Sequence, residues 1–573
     1  MTFHIDEGAQ WIVSELNISG IHRMDADTLR GRLMSSSGQP YSALNVASDR
    51  NAILTLYYQD GFPKAAFQWS ATPAGSPHQV ILHYNITEGP QEFVRNVIVT
   101  GLRNTRRSLV DREIPMHEGD PLSPVEISSS QQRLYNLGIF SSIGTGIQNP
   151  DGVTEYKNVL YDFTEARRYS VNVGVGAEVA RFGPTADNLS RPAGETGFSP
   201  RLSINVSRLN MFGLGHTATF SGIASNIRQR AGLSYTAPSL GDLPGRDLTV
   251  TGLYDFSRDI ATFASRREEV SAQISERLSK PTTLRLQMAF RRVSTSEIVI
   301  PTLLVPQLSE PVRIGIFSAN LIEDRRDDPA NPHGGIYNTL DVGIATKYLG
   351  SQRDFLRVLG RNATYTRIGS KLVLARQTQV GLIKPFNLPR DITSADAIPL
   401  PERFYGGGDA TNRGFPWNQA GPRDIGTPAG PGAPATVPTG FPLGGNALFF
   451  NTVELRFPLF GENIGGAVFE DAGNVYSTFS HISFSARQPN IRDFDYMVHA
   501  AGIGLRYNTP VGPIRVDLAY SINPPSFYGF KGNTQDLLAC NPNLPPSQLP
   551  PQCTPVKQNT GHFQFFFSIG QTF

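Results

Sequence analysis

Ile514-Arg-Val516-Asp517-Leu518-Ala-Tyr520 alternates without a break, placing Ile514, Val516, Leu518 and Tyr520 on one face of an extended chain and polar or small residues on the other. Period-two alternation is the mark of a β-strand with unlike faces. From Ser170-Val171-Asn-Val173-Gly-Val175-Gly-Ala177 onward the same texture recurs in sixteen runs. They begin near 168, 200, 215, 228, 246, 267, 281, 312, 335, 353, 371, 446, 462, 496, 512 and 562. No window of eighteen apolar residues occurs and the mean hydropathy is −0.23, so a helical membrane protein is excluded. A transmembrane barrel is not, because alternating lipid-facing and lumen-facing residues halve the hydropathy of each strand, and an even strand number is what single-chain bacterial barrels require.

Loop lengths favour the barrel. Connections after odd-numbered strands are mostly long (181–198, 294–311, 388–445, 477–495 and 523–561), whereas those after even-numbered strands are mostly short. Long outer loops opposite short periplasmic turns are the usual asymmetry of outer-membrane barrels, and a soluble all-β enzyme has no reason to alternate this way. The expectation is a closed sixteen-stranded barrel over 168–573, with the long loop 388–445 folded inward.

Composition narrows the function. Charged residues make up 17% of the 573, Gly numbers 55 and Pro 43, a balance suited to short strands and turns. A net charge of +2 gives no electrostatic grip on nucleic acid. Two cysteines cannot supply a four-ligand zinc site, the histidines are scattered, and no nucleophile motif stands in a catalytic context, so neither metal, cofactor nor catalysis is expected. The glycines 406–408 are not followed by Gly-Lys-Ser/Thr and read as a tight loop rather than a phosphate loop. Met1 opens a stretch with no basic or apolar leader region.

The first third carries an internal repeat. Ile5-Asp-Glu7-Gly8-Ala-Gln10 returns as Ile86-Thr-Glu88-Gly89-Pro-Gln91, Tyr58-Gln-Asp-Gly61-Phe62 as Tyr135-Asn-Leu-Gly138-Ile139, and Val159-Leu-Tyr-Asp-Phe163-Thr-Glu165 closes the second copy. Each copy of about eighty residues reads strand, helix, helix, strand, strand, a small α+β module with little core of its own. The expected division is 1–9 as the closing strand of a truncated module, modules at 10–90 and 91–167, and the barrel at 168–573.

Four features together resemble the BamA/TamA superfamily of outer-membrane insertases. Glu402-Arg-Phe404-Tyr-Gly406-Gly-Gly408-Asp-Ala-Thr-Asn-Arg413-Gly414-Phe415 resembles the family's sixth-loop signature. Leu443-Gly-Gly-Asn446 through Val453-Glu454-Leu-Arg456 and Val468-Phe469-Glu-Asp471-Ala-Gly473 resembles strands twelve and thirteen. His562-Phe-Gln-Phe565-Phe-Phe567-Ser-Ile569-Gly570-Gln-Thr-Phe573 resembles the C-terminal signal, and the repeats look like POTRA domains. The fold class so implied is α+β POTRA repeats followed by an all-β, sixteen-stranded antiparallel transmembrane barrel. At least three POTRA domains are implied upstream of the barrel in the full protein.

Several site expectations follow. Arg413, in a loop too rich in Gly and Pro to fold alone, is expected to enter the lumen and meet Asp471, and with it Glu454. Asp471, Phe469 and Gly473 share a strand face, which sends Glu470 outward, where a charge costs a few kcal/mol near the bilayer centre. Gly570 is expected to weaken or kink the last strand at a seam with the first, Tyr169 to Ala180, while Phe563, Phe565, Phe567, Ile569 and Phe573 form an apolar face. Cys540 and Cys553, thirteen residues apart in an outer loop, are expected to pair in an oxidising exterior. The resemblance implies a non-enzymatic factor that receives unfolded barrel clients through POTRA strand edges and inserts them at the seam, with the lipid bilayer and periplasmic accessory proteins as further partners. The alternatives are a two-partner-type secretion pore and a TamA-like autotransporter assembly factor.

Overall fold

The computed structural model describes the chain except residues 1–8, 183–188, 241–242, 244, 301–309, 389–396, 427–435, 462, 510–511, 541–549 and 570–573. The expected closing strand before residue 9 therefore lies almost wholly outside the described residues. Two units follow, 1–169 with 208–217, and 170–207 with 218–573.

The first unit holds two modules of one design. In the first, β1 (Ile12–Ser19), α1 (Ala26–Arg30), α2 (Ala43–Gln59), β2 (Ala66–Pro73) and β3 (Gln79–Thr87) form a three-stranded sheet under the helices. The last strand is central, parallel to β1 and antiparallel to β2. Alternation in β3 buries Val80, Leu82, Tyr84 and Ile86 against Val46, Ile53 and Tyr57 of α2, so a period of two meets a helical period in one core. The second module repeats this with β4 (Phe93–Thr100), α3 (Arg107–Glu113), α4 (Pro124–Asn136), β5 (Phe140–Ile147) and β6 (Tyr156–Glu165). Ser123 caps α4 by accepting the Glu126 N–H, with Pro124 at the first helical position.

The repeated letters have physical causes. Gly20 and Gly101 both sit at φ +81°, where a Cβ would stand 2.0 Å from the carbonyl oxygens of Ile86 and Phe163 respectively. The closing glutamates then bind the turns that follow. Glu88 accepts the N–H groups of His22 and Arg23 and the Tyr57 hydroxyl. Glu165 accepts the N–H groups of Arg103, Asn104 and Thr105 at 2.8–3.1 Å. Partial burial pushes the Glu165 carboxyl up, but hydrogen bonds from the Asn104 and Thr105 N–H groups and side chains outweigh it and hold the group at about 2.

The second unit holds most of a sixteen-stranded sheet, whose first eight strands are β7 (Tyr169–Phe182), β8 (Glu195–Met211), β9 (His216–Ser225), β10 (Arg228–Ala237), β11 (Arg246–Ser257), β12 (Ala264–Arg277), β13 (Thr282–Ser296) and β14 (Val312–Asp324). The next seven are β15 (Gly335–Ala345), β16 (Phe355–Ile368), β17 (Leu372–Pro385), β18 (Ala447–Phe460), β19 (Ile464–Tyr476), β20 (Val498–Thr509) and β21 (Gly512–Ser521). A loop then carries the hairpin β22 (Ser526–Gly529) and β23 (Val556–Asn559) with α5 (Thr534–Ala539) between them, and β24 (Phe563–Ile569) completes the sheet. Every strand neighbours the next in sequence, β24 lies on β21, and the order of the sixteen ends on β24 and β7. Strand starts agree with the sixteen alternating runs to within five residues.

One face of this sheet is closed around the chain's own loops. Along β17 every second residue from Val373 to Ile383 is buried, while Val380 between them is exposed. Ile398, Phe404, Phe415 and Ala420 of the connection 386–446 pack against Ile314, Phe355, Ile383, Leu448, Phe450 and Val475 of the wall. A second core, of Leu189, Phe263, Ile300, Leu400, Phe441, Phe530 and Leu537, joins the long loops to one another. Alternation thus delivers a wall with an apolar outside and an inside filled by protein.

Candidate functional site inside the barrel

The connection 386–446 enters the interior because it carries a charge that the wall is built to receive. Asp471 on β19 accepts the backbone N–H of Arg413 at 2.9 Å, its Nε at 2.7 Å and its Nη2 at 2.9 Å, a fork that fixes both the loop and the side chain. Nη1 reaches Glu454 of β18 at 3.1 Å and Asp517 of β21 at 3.4 Å. The guanidinium lies 3.2 Å from the centre of the Phe469 ring, and Arg413 is 1% exposed. Around this centre Arg506 binds Glu454 and Asp517 at 3.1 and 2.5 Å, Arg456 binds Glu454 at 2.9 Å, and Arg515 binds Asp517 at 3.3 Å.

The flanking residues make the close approach possible. The Asn412 amide donates to the carbonyls of Gly473 and Val498, and its own oxygen accepts the Gly414 N–H. A Cβ on Gly414 would lie 2.8 Å from that of Ala500, and one on Gly473 would lie 2.1 Å from the Phe449 carbonyl oxygen. Phe415 is wholly buried in the inner core. Arg413, Gly414, Phe415, Glu454, Asp471 and Gly473 are therefore brought to one place.

A second clamp holds the near end of the same loop. Glu402 forms a double hydrogen bond with Arg291 of β13, at 2.9 and 2.5 Å, and both are buried. Arg291 is paired in register with Glu269 of β12, which Arg267 also binds. The loop is thus fastened through Glu402 to β13, whose Arg291 also faces Glu269 of β12, and eleven residues further on through Arg413 to β18, β19 and β21. Sequence reasoning missed Glu402, Arg291, Arg506, Arg515 and Asp517 as members of these networks. The available signal was charge at positions whose parity points inward, but the partners lie up to 111 residues apart.

The terminal strand presents a different picture. Phe563, Phe565 and Phe567 point outward and are more than half exposed, whereas Phe566 is buried, its ring edge-on to Trp417. Among the described residues β24 pairs with β21 from Tyr520 with Phe563 to Ile514 with Ile569. Gly570 and Phe573 lie outside the described residues, as does the Ile569 side chain. On the outer face Glu470 does point away from the lumen, and it meets His499 of β20 at 3.0 Å. That partner supplies an account of the outward charge that strand parity alone left without one. Cys540 and Cys553 are joined by a disulfide in the loop that carries α5. Among the described residues no cluster of His, Cys, Asp and Glu could hold a metal ion.

Comparison with known proteins adds the following. The family model of the Omp85 superfamily domain matches residues 210–573, and the POTRA model, a surface antigen variable number repeat, matches 12–89 and 93–166. The chain is similar to the outer membrane protein assembly factor BamA of Nitratidesulfovibrio vulgaris, 21% identical over 542 residues that cover 91% of this chain and 61% of the relative. It is similar also to that of Neisseria meningitidis serogroup B, 21% identical over 554 residues, 90% of this chain and 65% of the relative. The chain thus spans under two thirds of the length of either. Among solved structures, BamA from Haemophilus ducreyi lacking POTRA domains 1–3 shares the fold. Its TM-score is 0.68 at 19% identity, covering 90% of this chain and 97% of that one.

Proposed function

The chain belongs to the Omp85 superfamily of outer-membrane barrels with periplasmic POTRA domains, and from that premise we propose that it receives unfolded barrel proteins and inserts them into the outer membrane by strand templating between β24 and β7. The chemistry is backbone pairing. An unpaired N–H or C=O in hydrocarbon costs several kcal/mol, so a strand edge opened within the bilayer captures a client strand. The modules offer the edges of β2 and β5 for strand addition before that step. This reading calls for no catalysis and no cofactor, and its partners are unfolded clients, the bilayer and periplasmic accessory proteins.

The observation that carries the proposal is where the strand order stops. Among the described residues each of the sixteen strands is hydrogen-bonded to its neighbours in an order that ends on β24 and β7. The Arg413 network then serves as the fixed reference, holding β18, β19 and β21 to the loop while the terminal strands part. Ile398, Phe404, Phe415 and Ala420 of the loop pack into the interior beside this network, which sets polypeptide passage through the lumen behind insertion as a reading. The test is a covalent staple between β7 and β24, with client insertion and client binding by the modules both measured. Insertion is expected to stop while binding persists.

A further inference from the structure

Alternation gives β14 to β20 an inner and an outer face. Ile314, Ile316, Phe355 and Ile383 lie in the inner core, whereas Phe317, Leu321, Leu340 and Val380 are exposed on the outside. Across that apolar outside runs one register row of another kind. Glu323 of β14 pairs with Asn338 of β15, Asn338 with Asn362 of β16, Asn362 with Thr378 of β17, and Thr378 with Asn451 of β18. Their side chains form a ladder: Asn338 donates to Glu323 at 3.0 Å, Asn362 to Asn338 at 2.6 Å, and the Thr378 hydroxyl to Asn451 at 2.8 Å. The adjoining row adds Thr364, Arg376 and Glu470, with Arg376 donating to Thr378 at 2.9 Å and Glu470 meeting His499 at 3.0 Å. Apolar rows flank this belt. Leu321, Leu340, Gly360, Val380 and Phe449 run along one side, and Leu374, Leu455, Val468 and Ile503 along the other from β17 to β20.

The belt climbs the wall. Glu323 lies beside Asp324, the short-turn end of β14, and the row continues from Asn451 through Ala472 to His499, beside Val498 at the long-loop end of β20. Six strand spacings make it roughly 29 Å long, and on strands tilted by about 40° it rises roughly 18 Å through an apolar band about 25 Å tall. Polar side chains are costly where lipid is the solvent, and a sequence keeps them where something polar meets them. We propose that this belt carries phospholipid headgroups between the two leaflets while the acyl chains stay in the bilayer. Arg376 offers a guanidinium to the phosphate, and Glu470, two strands along the same row, offers a carboxylate to the ammonium of a phosphoethanolamine. The ladder bond of Asn451 uses its oxygen, and an asparagine amide carries two N–H donors besides. A second copy of the barrel fits this face less well, because two convex walls touch along a line and cannot follow a row that crosses from β14 to β20. The inference rests on the barrel's place in the outer membrane and not on strand templating.

The test uses the full chain in vesicles of phosphatidylethanolamine and phosphatidylglycerol, with a trace of short-chain fluorescent phosphatidylethanolamine in both leaflets. Albumin added outside extracts the probe from the outer leaflet and is too large to enter a barrel. Without protein, extraction is expected to stop near the outer leaflet's share; with the parent it is expected to run on until the inner leaflet is drained as well. The double variant Asn362→Leu with Asn451→Leu, which leaves the Arg413 network untouched, is expected to slow the second phase by about tenfold or more. Leu340→Ala with Val380→Ala, on the apolar row alongside, is expected to leave the rate unchanged. Heat-modifiable migration verifies that each variant barrel is folded, and Asn362→Ala with Asn451→Ala replaces the leucine pair if that one is not. Probe crossing no faster with the parent than without protein overturns the proposal, as do equal rates in the parent and the folded asparagine variant. So does a dimer formed by the parent but not by that variant without lipid crossing, which would give the belt to a second copy. No client is added, so failure of this activity and failure of strand templating are separate outcomes.

Discussion

The wall from β16 to β21 and the two end strands, β24 and β7, belong to one sheet but are held in different ways. β16 and β17 pair over fourteen residues, and β18, β19 and β21 are cross-tied from inside by Arg413 through Glu454, Asp471 and Asp517. β24 and β7 end the strand order of the described residues, and from the inner face of β24 Phe566 sends one ring to Trp417. Both regions pay the same backbone entropy, but only the first adds buried charge-assisted bonds that sequence-distant elements must form together. Rigidity beside the two end strands localises opening: strain applied to the barrel is released where β24 meets β7, neighbours that no turn joins.

The largest expected effect comes from removing the tie. Arg413→Ala leaves three buried carboxylates short of a cation and frees the loop, at a cost of roughly 3–5 kcal/mol. Barrel formation, read by heat-modifiable migration, is expected to survive, since the strand pairing is intact, while client insertion falls steeply. If insertion by a folded Arg413→Ala barrel equals that of the parent, the fixed wall plays no part in the mechanism.

The second clamp is expected to matter less. Glu402→Gln keeps a hydrogen-bonding shape but leaves the buried Arg291 with only Glu269 at 3.8 Å, a loss of about 1–3 kcal/mol. Protease cleavage of the loop 386–446 in the intact barrel should rise without loss of the Arg413 contacts. A loop equally resistant in both proteins would show that the Arg413 network alone fastens it.

These two clamps also show where sequence could and could not speak. The strands were legible because alternation is local, and the inward turn of Asp471 followed from parity with Phe469 and Gly473. Arg413 was legible as its partner because a Gly- and Pro-rich loop needs a tie. Glu402 and Arg291 were not, since they lie 111 positions apart and their meeting depends on how the chain between them folds. Asp517 sat in plain view within the run that identified the strands, but its place beside Arg413 required the register of β20 on β21. The Glu470 and His499 pair is of the same kind: parity sent the glutamate outward, and only the pairing of β19 with β20 supplied its histidine.

The POTRA modules give a smaller effect that sharpens the contrast, because their carboxylates meet water rather than the lumen. Glu165 has its folded value near 2 against an ordinary 4.5, so its contribution is full above about 4.5 and is lost as pH falls through the folded value near 2. Glu165→Gln is expected to flatten the pH dependence of second-module stability across that window. Amide hydrogen exchange of Arg103 to Thr105 against pH measures it. An unchanged profile in the variant would mean that the carboxylate does not hold this turn.

Strand templating between β24 and β7 is tested most directly by a cysteine pair introduced on β7 and β24, verified as cross-linked, with insertion of a barrel client followed before and after reduction. The parent, reduced in parallel, controls for the Cys540–Cys553 bond. The account predicts that the cross-linked protein binds client through its modules but inserts none, and that reduction restores the parent rate. Insertion at the parent rate through a verified cross-link would contradict it and return the lumen to consideration as the path.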